Sequence, residues 1–299
     1  MRALRERWPE GQLVACVAPE AVPVARLLPG LDAVVPFQGG LAAAGRALAS
    51  PPPDLALVPD RSLRARLLGW RTRARVRVGP GSMVRRAPLL ERALEAARRA
   101  GAPAGDRALR LDPPSDLARG AGAPLALLVP GGPEPTVRWG PDKFALAAGA
   151  LARAGANVAV AGEPADAPLA ARVAELSDVP LLDLTGLAPP ELLAAIASAA
   201  IVLGGDVPLV HWARALGRPT VILFGPTNPA RHAFGPADLP IRLGIECQPC
   251  ADRAPARCPL GHLRCLTALA AQPVVEAATA LLESTGGRAW PATPGPGTR

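Results

Sequence analysis

Short apolar runs of strand length alternate with stretches whose apolar residues recur at helical spacing. In the first half, residues 13–17, 33–35, 55–58 and 76–78 predict strands, and residues 21–28, 41–49, 63–70 and 89–100 predict helices. Strands alternating with helices predict parallel sheets covered on both faces. Residues 101–124 are rich in Gly, Pro, Asp and Ala and read as a linker. The alternation then restarts. Residues 125–129, 158–161, 201–203 and 220–224 predict strands, with 180–183 short and extended, and residues 144–154, 169–176, 191–199, 209–216 and 273–282 predict helices. The expected architecture is α/β: two Rossmann-like domains, 1–120 and 121–285, with parallel sheets facing a central cleft. The Gly/Pro-rich residues 286–299 read as a disordered tail.

Composition agrees with a globular protein. The 299 residues suffice for two ordinary domains, and 49 % of them are hydrophobic against 19 % charged. No apolar run reaches the ~20 residues of a membrane span. The opening Met-Arg-Ala-Leu-Arg-Glu-Arg-Trp lacks the apolar core of a secretion signal, so the expected location is the cytoplasm. The formal net charge is +8, but residues 61–120 carry 15 Arg against 5 acids, and Lys143 is the only lysine. That basic segment reads either as a solvated face or as a surface for an anionic partner, such as a phosphorylated glycolipid or a membrane face. Nucleic acid is not an expected partner: aromatic residues make up 3 % of the chain, tyrosine is absent, and no basic residues interleave with aromatics.

Candidate chemistry concentrates in Leu203-Gly-Gly-Asp-Val-Pro-Leu-Val-His211 and Gly225-Pro-Thr-Asn-Pro-Ala-Arg231. The first reads strand, turn, helix, with Asp206 as the helix N-cap, Pro208 in the first turn and Gly217 as the stop. The second follows the next strand. Two loops at the carboxyl ends of neighbouring strands, beside a helix N-terminus, suit a phosphate-bearing ligand. Asp206, His211, Gly225 and Thr227 are the candidate contacts. Gly131, Gly132 and Gly162 would allow close backbone approach, and Arg138 would neutralise phosphate charge. Each has a plainer role open to it: helix cap, core histidine, tight turn, solvated loop residue. Cys247, Cys250, Cys258 and Cys265 form a second cluster. A C-x2-C pair with two further cysteines can hold a structural zinc, with His262 as an alternative ligand, or it can be a thiol-rich loop. A disulfide is not expected in a reducing cytosol.

In their order and spacing these pieces resemble glycosyltransferase family 9, the ADP-heptose lipopolysaccharide heptosyltransferases. The matching segments are Val129-Pro-Gly-Gly132 with Arg138-Trp139, Val160-Ala-Gly-Glu163, Leu182-Asp-Leu-Thr-Gly186, Gly205-Asp206 with His211, and Phe224-Gly-Pro-Thr227. Cys247-Gln-Pro-Cys250, followed by Cys258-Pro-Leu-Gly-His-Leu-Arg-Cys265, looks like the tail of the heptosyltransferase II subgroup, and Leu57-Val-Pro-Asp-Arg-Ser-Leu-Arg64 is similar to its acceptor segment. The resemblance implies a GT-B fold and transfer of heptose from ADP-heptose to the inner core of lipopolysaccharide, with inversion. It further implies an ADP-sugar on the second domain, a lipopolysaccharide acceptor near Arg61, Ser62 and Arg64, no cofactor for the chemistry, and peripheral contact with the inner membrane.

The sequence departs from the family pattern in three places. The family's first strand and its Gly-Asp loop, which carries the proposed catalytic Asp, have no counterpart before the helix matched by residues 1–8, so no catalytic base is named. Val207 and Pro208 follow Asp206 where the family has Thr or Ser, then Gly. That removes a hydroxyl and an N–H from the donor loop, each worth about 1.5–3 kcal/mol of phosphate binding. Val137 stands where the family has Lys beside the Arg-Trp pair. Two further readings follow: a catalytically impaired or non-catalytic relative that binds a nucleotide sugar or glycolipid, and a GT-B enzyme that uses another nucleotide sugar.

Overall fold

The computed structural model describes residues 1–59, 62–79, 89–103, 111, 123–251 and 253–284. Most of the expected linker and the whole of the expected tail, 286–299, lie outside the described residues. The chain divides into two units, Met1–Arg107 and Ala108–Arg299.

The first unit runs α1 (Arg2–Arg7), β1 (Val14–Val17), α2 (Val22–Ala25), β2 (Ala33–Pro36), α3 (Gly40–Leu48), β3 (Leu55–Leu57), α4 (Leu63–Arg71), β4 (Val76–Val78) and α5 (Leu89–Arg99). The helix expected over 21–28 is a single α turn preceded by a 3-10 turn at Pro19–Ala21. Arg5 fastens α1 down. Its Nη1 donates to the carbonyls of Pro9 and Gly11 at 2.8 and 2.7 Å, and its Nη2 reaches Gly30 O at 3.0 Å and Asp32 at 2.6 Å. The same Asp32 oxygen accepts the Leu13 N–H, and this bond, with the Arg5 guanidinium, holds the carboxyl below its ordinary range.

The strands of this unit are parallel, as the alternation predicts, but they form two separate pairs, β1 with β2 and β3 with β4. Among the described residues no strand joins the pairs. In a wound sheet of order 3-2-1-4-5 the first strand lies between the second and the fourth.

The second unit supplies that order in full. It runs β5 (Leu125–Val129), α6 (Pro141–Arg153), β6 (Asn157–Gly162), α7 (Ala167–Leu176), β7 (Leu182–Thr185), α8 (Pro189–Ser198), β8 (Ile201–Gly205), α9 (Pro208–Ala215), β9 (Thr220–Leu223), β10 (Asp238–Ile241), α10 (Arg264–Thr267) and α11 (Ala271–Ser284). Six parallel strands are ordered β10-β9-β8-β5-β6-β7. The central strands are unbroken apolar runs because helices bury both faces; Ala126, Leu127 and Leu128, and Ile201, Val202 and Leu203, are fully buried. Phe144 on α6 packs edge-on to Trp139 at 5.3 Å in the same core. The sole lysine, Lys143, caps the end of α10: its Nζ donates to the carbonyls of Leu266, Thr267 and Leu269 at 2.8–3.0 Å. β10 went unpredicted because Pro240 lies within it. Proline is tolerated there because β10 is an edge strand. Among the described residues no helix is long and apolar enough to cross a membrane.

Candidate functional site

β5 and β8 are neighbours, yet the chain leaves β5 toward β6 and β8 toward β9. Their carboxyl ends therefore mark the switch point where doubly wound sheets bind ligands. Loops after β5, β6, β8 and β9 meet there, packed so closely that glycine is required. A Cβ at Gly131 would lie 2.2 Å from Asp166 Cγ, one at Gly162 2.8 Å from Asp166 Cβ, one at Gly205 2.3 Å from Val137 O, and one at Gly225 2.8 Å from Thr136 O.

Asp206 is not the cap of α9. The N-cap is Val207, with φ −132° and ψ 158° and no side-chain cap bond. The cause is Pro208: a residue before proline is driven into extended geometry, which is the N-cap conformation. The Asp206 carboxylate turns instead to two side chains. Its Oδ1 lies 2.6 Å from His211 Nε2, and its Oδ2 accepts the Thr227 hydroxyl at 2.6 Å. Burial pushes this carboxyl up, but the bonds from His211 and Thr227 outweigh it and hold the group below its ordinary range. Asp206 is therefore an anion at neutral pH.

Arg214 fixes the His211 tautomer. Its Nη1 lies 2.9 Å from His211 Nδ1. A guanidinium only donates, so Nδ1 accepts and the proton of a neutral ring sits on Nε2, against Asp206. Arg214 is buried and held in turn: Nε donates to Asp238 at 3.1 Å, Nη2 donates to Ala233 O, and the guanidinium lies 4.6 Å from the Phe234 ring centre. Asp238 also accepts the Thr220 hydroxyl at 2.7 Å. One chain of hydrogen bonds thus runs Thr220, Asp238, Arg214, His211, Asp206, Thr227, across β9, β10, α9 and the loop after β9. His232 stacks on His211 with ring centres 4.6 Å apart, and its Nε2 lies 3.6 Å from Asp206 Oδ1. Burial, above all, pushes its pKa down to about 4.

Asp206, His211 and His232 bring three potential ligand atoms within 4.8 Å. They do not suit a metal. His211 has no lone pair to offer one, because its Nε2 proton lies against Asp206 and its Nδ1 accepts from Arg214. The arrangement instead places an anionic acceptor beside the first-turn N–H groups of α9, which suits a polyol joined to a phosphate: carboxylate for hydroxyls, helix N–H groups for phosphate oxygens.

A second centre is Asp166, which is buried. Its Oδ1 accepts the Gly132 N–H at 3.2 Å and its Oδ2 the Glu163 N–H at 3.1 Å, joining the loops after β5 and β6. Arg138 turns onto the same loop, donating to Gly132 O from Nε at 3.2 Å and Nη2 at 2.7 Å. Val207 fills the space beside Gly132, where an added Cβ would lie 2.6 Å from its Cγ1. The structure therefore gathers Gly131, Gly132, Arg138, Gly162, Asp206, Val207, Pro208, His211, Gly225 and Thr227 at one sheet edge. In the first unit, Ser62 caps α4 by accepting the Ala65 N–H at 3.1 Å, and the Arg64 guanidinium lies 4.1 Å from the Phe37 ring centre. Arg61 lies outside the described residues. Other arginines of the basic segment are engaged within the chain: Arg98 with Glu95 at 2.7 Å and Arg99 with Gly79 O at 2.7 Å. Sequence reasoning missed Asp166, Arg214, His232 and Asp238. The only local signal was the capping box that Glu163 and Asp166 form at Pro164–Asp166.

A six-stranded doubly wound sheet with four loops at its switch point defines an α/β protein of the doubly wound class. The chain belongs to glycosyltransferase family 9 (heptosyltransferase), whose family model matches residues 60–259. Solved GT-B glycosyltransferases share its fold. The ADP-heptose lipopolysaccharide heptosyltransferase II of E. coli aligns at a TM-score of 0.76 and 20 % identity, over 95 % of this chain and 93 % of that one. A family 9 glycosyltransferase from Veillonella parvula aligns at 0.81 and 18 %, over 95 % and 92 %. The E. coli heptosyltransferase WaaC with ADP aligns at 0.70 and 18 %, over 92 % and 93 %. No curated protein matches the sequence.

Two measurements check this geometry. Gly131→Ala should destabilise the protein by about 1–3 kcal/mol through overpacking, and Asp166→Gly should make the same change much less costly. Equal cost in both backgrounds, in a denaturant double-mutant cycle, contradicts the contact. For His232, the folded chain resists a proton that the unfolded chain accepts, because the pKa falls from 6.5 to about 4. Stability should be full above about pH 6.5 and decline by about 2–3 kcal/mol as pH falls to about 4. Unfolding curves across that range should flatten in His232→Asn; an unchanged slope contradicts the assignment.

Proposed function

We propose that the chain transfers heptose from ADP-heptose to the inner core of lipopolysaccharide with inversion, and that the second unit binds the donor at the Asp206 network. The observation that carries this reading is the buried Asp206 anion beside the start of α9, at the β5/β8 switch point. Family membership supports the reaction class. Similar structures include WaaC with ADP and a heptosyltransferase II named for ADP-heptose, which supports the donor. In the reaction the acceptor oxygen displaces ADP at the anomeric carbon. The N–H groups of α9 would take up charge as it develops on the leaving diphosphate. Asp206 would orient a sugar or ribose hydroxyl, with His211 and Thr227 holding it in place. The acceptor would lie on the first unit, near Arg61, Ser62 and Arg64. The setting is the cytoplasm, with peripheral contact at the inner membrane.

A second reading is a relative that binds the donor with little turnover. Val207 favours it, because it is buried and brings no hydroxyl where the family resemblance implies Thr or Ser, and Pro208 brings no N–H. Use of another nucleotide sugar is the remaining alternative.

Calorimetry with ADP tests the site. Asp206→Ala should weaken ADP or ADP-heptose binding at least ~10-fold, the equivalent of losing one hydrogen bond to a charged group. Val207→Thr combined with Pro208→Gly should tighten it by a similar factor. Unaltered binding in both variants moves the site elsewhere. Transfer assays with ADP-heptose and with other ADP- and UDP-sugars then separate the readings: transfer only from ADP-heptose supports the first, and binding without transfer supports the second.

A further inference from the structure

Cys247, Cys250, Cys258 and Cys265 come from two loop arms and a short helix, yet all four line one hollow against Gly225 and Pro226. All are free thiols. We propose that they bind one thiophilic divalent cation, Zn2+ or Fe2+, and that this cation fastens the loop after β9.

The local structure is shaped around the sulfurs. The Cys258 sulfur faces the backbone N–H groups of Leu263, Leu260, His262 and Gly261. Such N–H groups form the outer shell that orients a thiolate ligand. The turn closes with Gly261 N–H donating to Cys258 O at 3.0 Å, and Gly261 takes a φ of +73°. Leu263 then adopts a φ of +45°, a left-handed geometry that a side chain disfavours. It reverses the chain so that α10 carries Cys265 back to the hollow.

The ligand set is four sulfurs. His262 Nδ1 accepts the Arg264 N–H at 3.0 Å, so the neutral ring carries its proton on Nε2 and has no free lone pair to offer. Four soft thiolates lining one hollow select zinc or iron over harder cations. No three of these sulfurs lie within 4.8 Å of one another, whereas a tetrahedral zinc–thiolate site brings them to about 3.8 Å. Binding would therefore draw in the exposed arm at Cys250.

The same segment grips the loop after β9. Cys250 and Ala251 donate their N–H groups to Pro226 O at 2.9 and 3.1 Å. Gln248 Nε2 donates to Phe224 O at 2.7 Å and Gly225 O at 2.8 Å. Thr227, the partner of Asp206, is the next residue along. A cation at the cysteines would hold this end of the Asp206 network.

Metal content needs no assumption about donor or acceptor, so the test stands apart from the proposed reaction. Protein purified without chelator should hold about one zinc or iron per chain, with its clustered thiols slow to react until a chelator is added. Adding Co2+ to the metal-free, reduced protein should produce a thiolate-to-cobalt charge-transfer band of four-sulfur intensity. That band should be unchanged in His262→Ala and weakened in Cys258→Ser. Absence of bound metal together with absence of a cobalt band in the wild-type protein overturns the site. A band altered by His262→Ala overturns the four-sulfur set.

Discussion

A carboxylate taken out of water stays charged only if donors surround it. Asp206, with its side chain 10 % exposed, meets that requirement with His211 and Thr227, and the second unit is arranged around the result. His211 can donate because Arg214 occupies its other nitrogen. Arg214 can be buried because Asp238 and the Phe234 ring receive it. Asp238 stands on the edge strand, where Thr220 completes the line. α9, β9, β10 and the loop carrying Thr227 are thus positioned by one network. Removing any internal member leaves a buried polar group without its partner.

Asp166 plays the corresponding part on the other side of the switch point. It bridges the loops after β5 and β6 through two backbone N–H groups, and the glycines beside it leave no room for a side chain. Between the two carboxylates sits Val207. Its placement follows from Pro208, which makes it the N-cap and drives its side chain against Gly132. Pro208, which fixes the start of α9, brings no N–H, and Val207 brings no hydroxyl.

What was legible in the sequence followed from burial and local backbone chemistry. β5, β8 and β9 are apolar runs because both faces of the sheet are covered, and Gly217 stops α9 as its φ of +69° requires. The loops gathered at the switch point were legible for the same reason: each follows a strand. The Asp206 cap was misplaced by one residue because the effect of proline on the residue before it outweighed the preference of Asp for the N-cap. Arg214 and Asp238 stayed hidden because the pair they form spans 24 residues, and the bond that joins Asp166 to the loop after β5 spans 34, so only its capping box with Glu163 was local. In the first unit the alternation correctly indicated parallel strands, but periodicity is blind to whether neighbouring pairs join, and among the described residues they do not.

The most direct test is a crystal structure of the protein with ADP bound. The account predicts the diphosphate within hydrogen-bonding distance of the first turn of α9, with a sugar or ribose hydroxyl on the Asp206 carboxylate and His211 still held by Arg214. A nucleotide bound away from the β5/β8 edge, with the Asp206 network untouched, contradicts it.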